Sequence, residues 1–132
     1  MYQPASKGTI LIPTGPVKHL HFVCCDPVFY PSYAKDSVLV VNISTVRMGL
    51  EHDETCILNV GDHPFVVQPS YVYYAEAQIA GCDTISRNVA AGTFNVHQPC
   101  SDETFRRILG GFSVSDYVTP KILKFYERYC NL

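Results

Sequence analysis

The run Ser37-Val38-Leu39-Val40-Val41-Asn42-Ile43-Ser44 is almost wholly apolar and β-branched, the pattern of a central strand covered on both faces. Shorter strand signals surround it. Thr9-Ile10-Leu11-Ile12 is closed by Pro13-Thr14-Gly15-Pro16 and reads as a strand running into a turn. His19-Leu20-His21-Phe22-Val23-Cys24 alternates with period two, which puts Leu20 and Phe22 on one face and His19, His21 and Val23 on the other. Asp26-Pro27 ends that strand, and the proline- and aromatic-bearing segment to Asp36 reads as an ordered loop. Runs at Cys56-Ile57-Leu58, at Phe65-Val66-Val67 behind a Gly61-Asp62 turn, and at Tyr71–Ala77 bring the set to five or six short strands, which predicts a small barrel or meander.

The last third changes to a helical period. Ser101 is a good N-cap, Asp102 and Glu103 suit a helix N-terminus, and Phe105, Ile108, Leu109 and Phe112 recur at helical spacing, with Gly110-Gly111 weakening the helix. Thr119-Pro120 opens a second helix with Ile122, Phe125, Tyr126 and Tyr129 as its apolar stripe. Asp83 to Ala91 predicts one more helical segment, ended by Gly92. The expected class is therefore α+β, a β-barrel over about residues 7–80 closed by C-terminal helices over about 83–130, in a single domain spanning 1–132.

Composition narrows the function classes. Hydrophobic residues are 47% and charged residues 17%, which excludes a disordered chain. No apolar run approaches the ~20 residues that cross a bilayer, and no signal-type start is present, so the expectation is a cytoplasmic protein with no membrane partner. In that compartment most of the six cysteines are expected as buried thiols. A net charge of −2 gives no overall attraction to nucleic acid, so an RNA-binding role needs a locally basic groove or base contacts.

The order of elements, Lys7-Gly8-Thr9 entering the first strand, Asn42-Ile43-Ser44-Thr45 ending the central one, Ser70-Tyr71-Val72 leading towards a helical tail after Gly92, resembles the PemK/MazF-like toxins. The resemblance implies an SH3-like barrel and a toxin-type endoribonuclease of a toxin–antitoxin system, a homodimer acting on single-stranded RNA without a cofactor and neutralised by a cognate antitoxin. Where the family carries Arg-Pro at the start of its second strand, this chain has Lys18-His19-Leu20-His21. The alternative is a non-catalytic barrel module that binds a protein partner or nucleic acid.

Cleavage by 2′-hydroxyl attack needs a base, an acid and a donor or cation for the charge developing on phosphate. His19 and His21, two residues apart on one strand and thus about 6–7 Å apart, are the candidate acid and base, with ordinary surface or hydrogen-bonded residues as the competing reading of one or both. Lys18, Arg47, Ser44 and Thr45 are candidates for holding the phosphate, Thr45 also as a catalytic hydroxyl. Asp62 and His63 form a second acid–imidazole pair, with Asp62 as a turn residue accepting backbone N–H groups as the competing reading. Tyr71 is a candidate for base stacking, with packing as its alternative, and the resemblance makes Ser70 ahead of it a substrate-binding candidate, with turn hydrogen bonding as its own alternative. A zinc site drawing on His19, His21, Cys24, Cys25, Asp26 and His63 is opposed by Cys24 and Cys25 pointing to opposite faces.

Overall fold

The computed structural model describes residues 1–130. β1 (Thr9–Thr14) and β2 (Val17–Val23) form a hairpin in which Thr14 pairs with Val17 across the two-residue turn Gly15-Pro16. Gly15 takes φ +68°, a left-handed conformation that lacks steric cost only without a Cβ. After β3 (Val28–Tyr30), the eleven-residue β4 (Lys35–Thr45) is the spine of the sheet. Its β-branched middle, Val38 to Val41, is buried on both faces, as its unbroken apolar run predicts.

The remaining strands are β5 (Ile57–Leu58), β6 (Ser70–Val72), β7 (Gln78–Gly81) and β8 (Asn95–His97). One edge of β4 takes β3 at Lys35–Ser37 and β2 at Val40–Asn42, and the other takes β7 at Ser37–Val40 and β6 at Ile43–Thr45. All pairings are antiparallel, and the path runs β5-β6-β4-β2-β1-β8. The fold is therefore α+β with an eight-stranded sheet, against an expectation of five or six strands. No ladder joins β5 to β8 among the described residues, so the strands do not close into a hydrogen-bonded barrel.

Three local differences from the sequence pattern have identifiable causes. Phe65–Val67 is a turn, because the Phe65 N–H donates to the His63 ring at 3.0 Å and the Val66 N–H to the His63 carbonyl at 2.9 Å, satisfying the backbone locally. The Tyr71–Ala77 strand stops at Val72 and gives way to a 3₁₀ turn at Tyr74–Glu76, which sends the buried Tyr74 hydroxyl to the Ile108 carbonyl at 2.7 Å. The loop from Asp26 to Asp36 contains β3, whose three residues lie below the length at which alternation can be read.

Helices α1 (Cys82–Ala90), α2 (Asp102–Gly111) and α3 (Pro120–Phe125, continued by a π turn to Cys130) stand where helical spacing predicts them. Ser101 caps α2 by accepting the Thr104 N–H at 3.2 Å, and Pro120 opens α3, although the Thr119 side chain makes no cap bond. α2 continues through Gly110-Gly111 because Gly111 packs directly against the Tyr74 ring. All six cysteines are free thiols, five of them buried. Among the described residues no helix is long and apolar enough to cross a membrane.

Candidate functional site

The β2–β4 ladder stops at His21 opposite Asn42. Beyond that point β2 keeps only β1, and β4 turns its Ile43–Thr45 segment to β6 on its far edge. The two strands therefore part, and a groove of about 570 Å³ opens between Val17–His19 and Ile43–Thr45, with the Pro64–Gln68 turn, Arg47, Ser70 and His97 completing its wall. Strand edges released from pairing offer backbone groups and side chains to a ligand.

Six of the ten residues singled out in the sequence line this groove: Lys18, His19, Ser44, Thr45, Arg47 and Ser70. Among the described residues it gathers two cations and no carboxylate, in a chain whose acidic residues outnumber its basic ones by 12 to 10. Arg47 is exposed, and Lys18 Nζ reaches across β1 to donate to Asn95 Oδ1 on β8 at 2.9 Å. The Thr14 hydroxyl is hydrogen-bonded to His19 Nδ1, which fixes the ring and leaves Nε2 for the groove. Phe65, with over a third of its surface exposed, supplies an aromatic face.

The other four lie elsewhere. His21 is only 8% exposed, its Nδ1–H donates to the His19 carbonyl at 3.0 Å, and burial pushes its imidazole below the ordinary histidine value, so it is a neutral packed side chain rather than the partner of His19. Alternation misplaces it because β2 is covered on both faces from Leu20 onward. His63 is 2% exposed and both ring nitrogens are committed: Nε2–H donates to the Gln98 carbonyl at 2.6 Å and Nδ1 accepts the Phe65 N–H. It packs edge-on against Phe22, with ring centroids 5.9 Å apart. Asp62 is the turn residue of the competing reading, with Oδ2 accepting the Asn59 N–H at 2.7 Å and Oδ1 paired with Arg107 at 3.2 Å. Tyr71 stacks obliquely between His52 and Tyr73.

The imidazole that does join His19 in the groove wall is His97, on β8. Its ring lies 5.1 Å from His63 and 5.9 Å from Phe65, and its Nδ1 accepts the Gln98 N–H at 2.8 Å, which places the proton of the neutral ring on Nε2. Sequence reading passed over it because β8 has three residues, two of them exposed polar or edge positions, between Gly92 and Pro99. Among the described residues no three His, Cys, Asp or Glu side chains gather as a metal site requires. No family model matches the chain, and no curated protein matches it.

Proposed function

We propose that the groove takes a segment of single-stranded RNA and that the chain is an endoribonuclease of the PemK/MazF-like toxin type, cleaving without a cofactor. One observation carries the reading: the split between β2 and β4 gathers Lys18, Arg47, three hydroxyls and two imidazoles around one carboxylate-free concavity. In this arrangement Lys18 and Arg47 hold phosphate, Ser44 and Thr45 donate to its oxygens, and Phe65 offers a face to an unpaired base, while the buried Ser70 hydroxyl donates to the Gln68 carbonyl. His19 and His97 share the acid–base work. One takes the 2′-hydroxyl proton as that oxygen attacks phosphorus, and the other protonates the departing 5′-oxygen, giving a 2′,3′-cyclic phosphate and a 5′-hydroxyl.

The SH3-like barrel belongs to the same proposal. Strands β5 and β8 are the two ends of the sheet path, yet His63, five residues past β5, donates to Gln98, one residue past β8. A sheet whose ends meet through side chains is a curled, partly open barrel. A homodimer, a cognate antitoxin covering the groove and a cytoplasmic site of action complete the toxin reading.

The non-catalytic module is the second reading, favoured by Lys18-His19 standing where the toxins carry Arg-Pro. Controlled expression of the wild type beside His19→Ala and His97→Ala, reading growth and RNA integrity together, separates the two. Arrest with fragmented RNA that either substitution abolishes supports the nuclease. Intact RNA and unimpeded growth with the wild type transfers the groove to a binding module.

A further inference from the structure

A second concavity, about 480 Å³, lies between the turn after β3 and helix α3. Lys121, Lys124 and Arg128 rim it, and Tyr30, Phe125 and Tyr129 form its aromatic wall. We propose that it is an anion site for the phosphate of a nucleotide, with the rings beside it accepting the base. It is independent of the groove reading: it sits at the Lys35 end of β4, ten residues and roughly 33 Å of extended strand from Thr45.

The arrangement is built rather than incidental. Positions 121, 124, 125 and 128 recur at steps of three and four, so they share one helical face over about 10 Å of axis. The three cations are exposed and, among the described residues, make no ion pair and share a pocket lined by no carboxylate. Lys121 Nζ donates to the Tyr33 hydroxyl at 2.6 Å and lies 4.6 Å from that ring's centroid, while the Arg128 guanidinium sits 5.6 Å from the Tyr129 centroid. Tyr30 braces the wall, edge-on to Tyr33 and Phe125 at 4.9 and 5.1 Å.

Three cations with no ion-pair partner among the described residues, gathered around one small space, match a compact multivalent anion, and the volume is that of a small-molecule site rather than a protein-docking face. The adjoining rings add the stacking surface that a nucleobase uses and a bare inorganic anion does not. The nucleotide has two sources, free in solution or as one unit of a strand, and the experiment separates them.

Binding of AMP to the full chain is measured by calorimetry, for the wild type, Lys124→Ala, Arg128→Ala and a Lys18→Ala/Arg47→Ala groove variant. At least a fivefold loss of affinity in each helix variant is expected, with the groove variant unchanged. A single-stranded RNA pentamer that displaces AMP from the groove variant assigns the strand source, and failure to displace assigns the free nucleotide. The proposal is overturned if AMP does not bind, if the helix variants bind it as the wild type does, or if only an oligoglutamate peptide binds and loses affinity in those variants.

Discussion

The His63 imidazole donates from Nε2 to the Gln98 carbonyl at 2.6 Å, and the same oxygen accepts the Thr9 hydroxyl at 2.7 Å. Two long-range contacts thus meet on one atom, joining the turn after β5 to the start of β1 and the end of β8.

That junction makes stability depend on pH. Burial holds His63 and His21 below the ordinary histidine value, with the neighbouring His97 acting in the same direction on His63. As pH falls below about 6.5 the unfolded chain takes up these protons before the folded one does, so the folded state loses stability until the folded imidazoles also protonate. Urea midpoints are expected to fall between pH 7.5 and pH 5. In His63→Gln the overall midpoint is lower at pH 7.5 and its fall with acid is shallower; a slope equal to that of the wild type would refute the buried neutral assignment.

Salt dependence reports on the groove cations. Each phosphate contact to a single strand contributes about 0.7 to the slope of log K against log salt. Lys18→Ala and Arg47→Ala are each expected to lower that slope by about this amount for a short single-stranded RNA. Arg106→Ala, on α2 and outside the groove lining, is the control that leaves it unchanged.

Packing between Gly111 and Tyr74 predicts a sharp intolerance. A Cβ on Gly111 would land on the Tyr74 hydroxyl and its ring carbon, and Tyr74 is wholly buried. Gly111→Ala is expected to cost about 1–3 kcal/mol by overpacking, and Tyr74→Phe about 1 kcal/mol through the lost bond to Ile108. Because Tyr74→Phe removes the first atom the new methyl meets, the double substitution should cost less than the two singles added. Strict additivity in chemical denaturation would contradict the contact.

The cap on α2 is a local matter. Ser101→Ala leaves the Thr104 N–H without its acceptor and is expected to cost about 1 kcal/mol, whereas Ser101→Asp should restore most of it. Thr119→Ala, at a position with no side-chain cap bond, should cost less than Ser101→Ala. Thermal melts of the three variants give the order.

Elements whose signal is local were readable in the sequence. The β-branched run of β4, the cap and stripe of α2 and the Pro120 start of α3 each follow from residues within one or two turns of each other. β7 and β8 were not, because short strands exist only through their neighbours, and Val96 stays exposed even where it pairs with β1. The site divides along the same line. Lys18, His19, Ser44, Thr45, Arg47 and Ser70 belong to strand ends and turns that local pattern locates, and the structure brings them to one groove. His21 was misplaced because period-two alternation reports which side of a strand a residue faces, not whether that side is covered, and His63 because a turn residue's burial depends on the distant Gln98 and Phe22 that it packs against. His97 needed the β1–β8 pairing to become visible.

The seam at the start of the chain has a consequence for synthesis. The Tyr2 carbonyl accepts the Ser86 hydroxyl, the Lys7 carbonyl accepts the Cys100 N–H, and Thr9 donates to Gln98, so the opening segment, held nearby by Val23 and Asp26, is also fastened by residues more than 80 positions later. A ribosome delivers β1 long before any of those later partners, and until they emerge its outer edge has nothing to pair with. The nascent β1–β2 hairpin must therefore stay unaggregated with one flank bare until residues 95 to 97 have emerged, a demand that falls on chaperones and on the speed of elongation rather than on the folded domain.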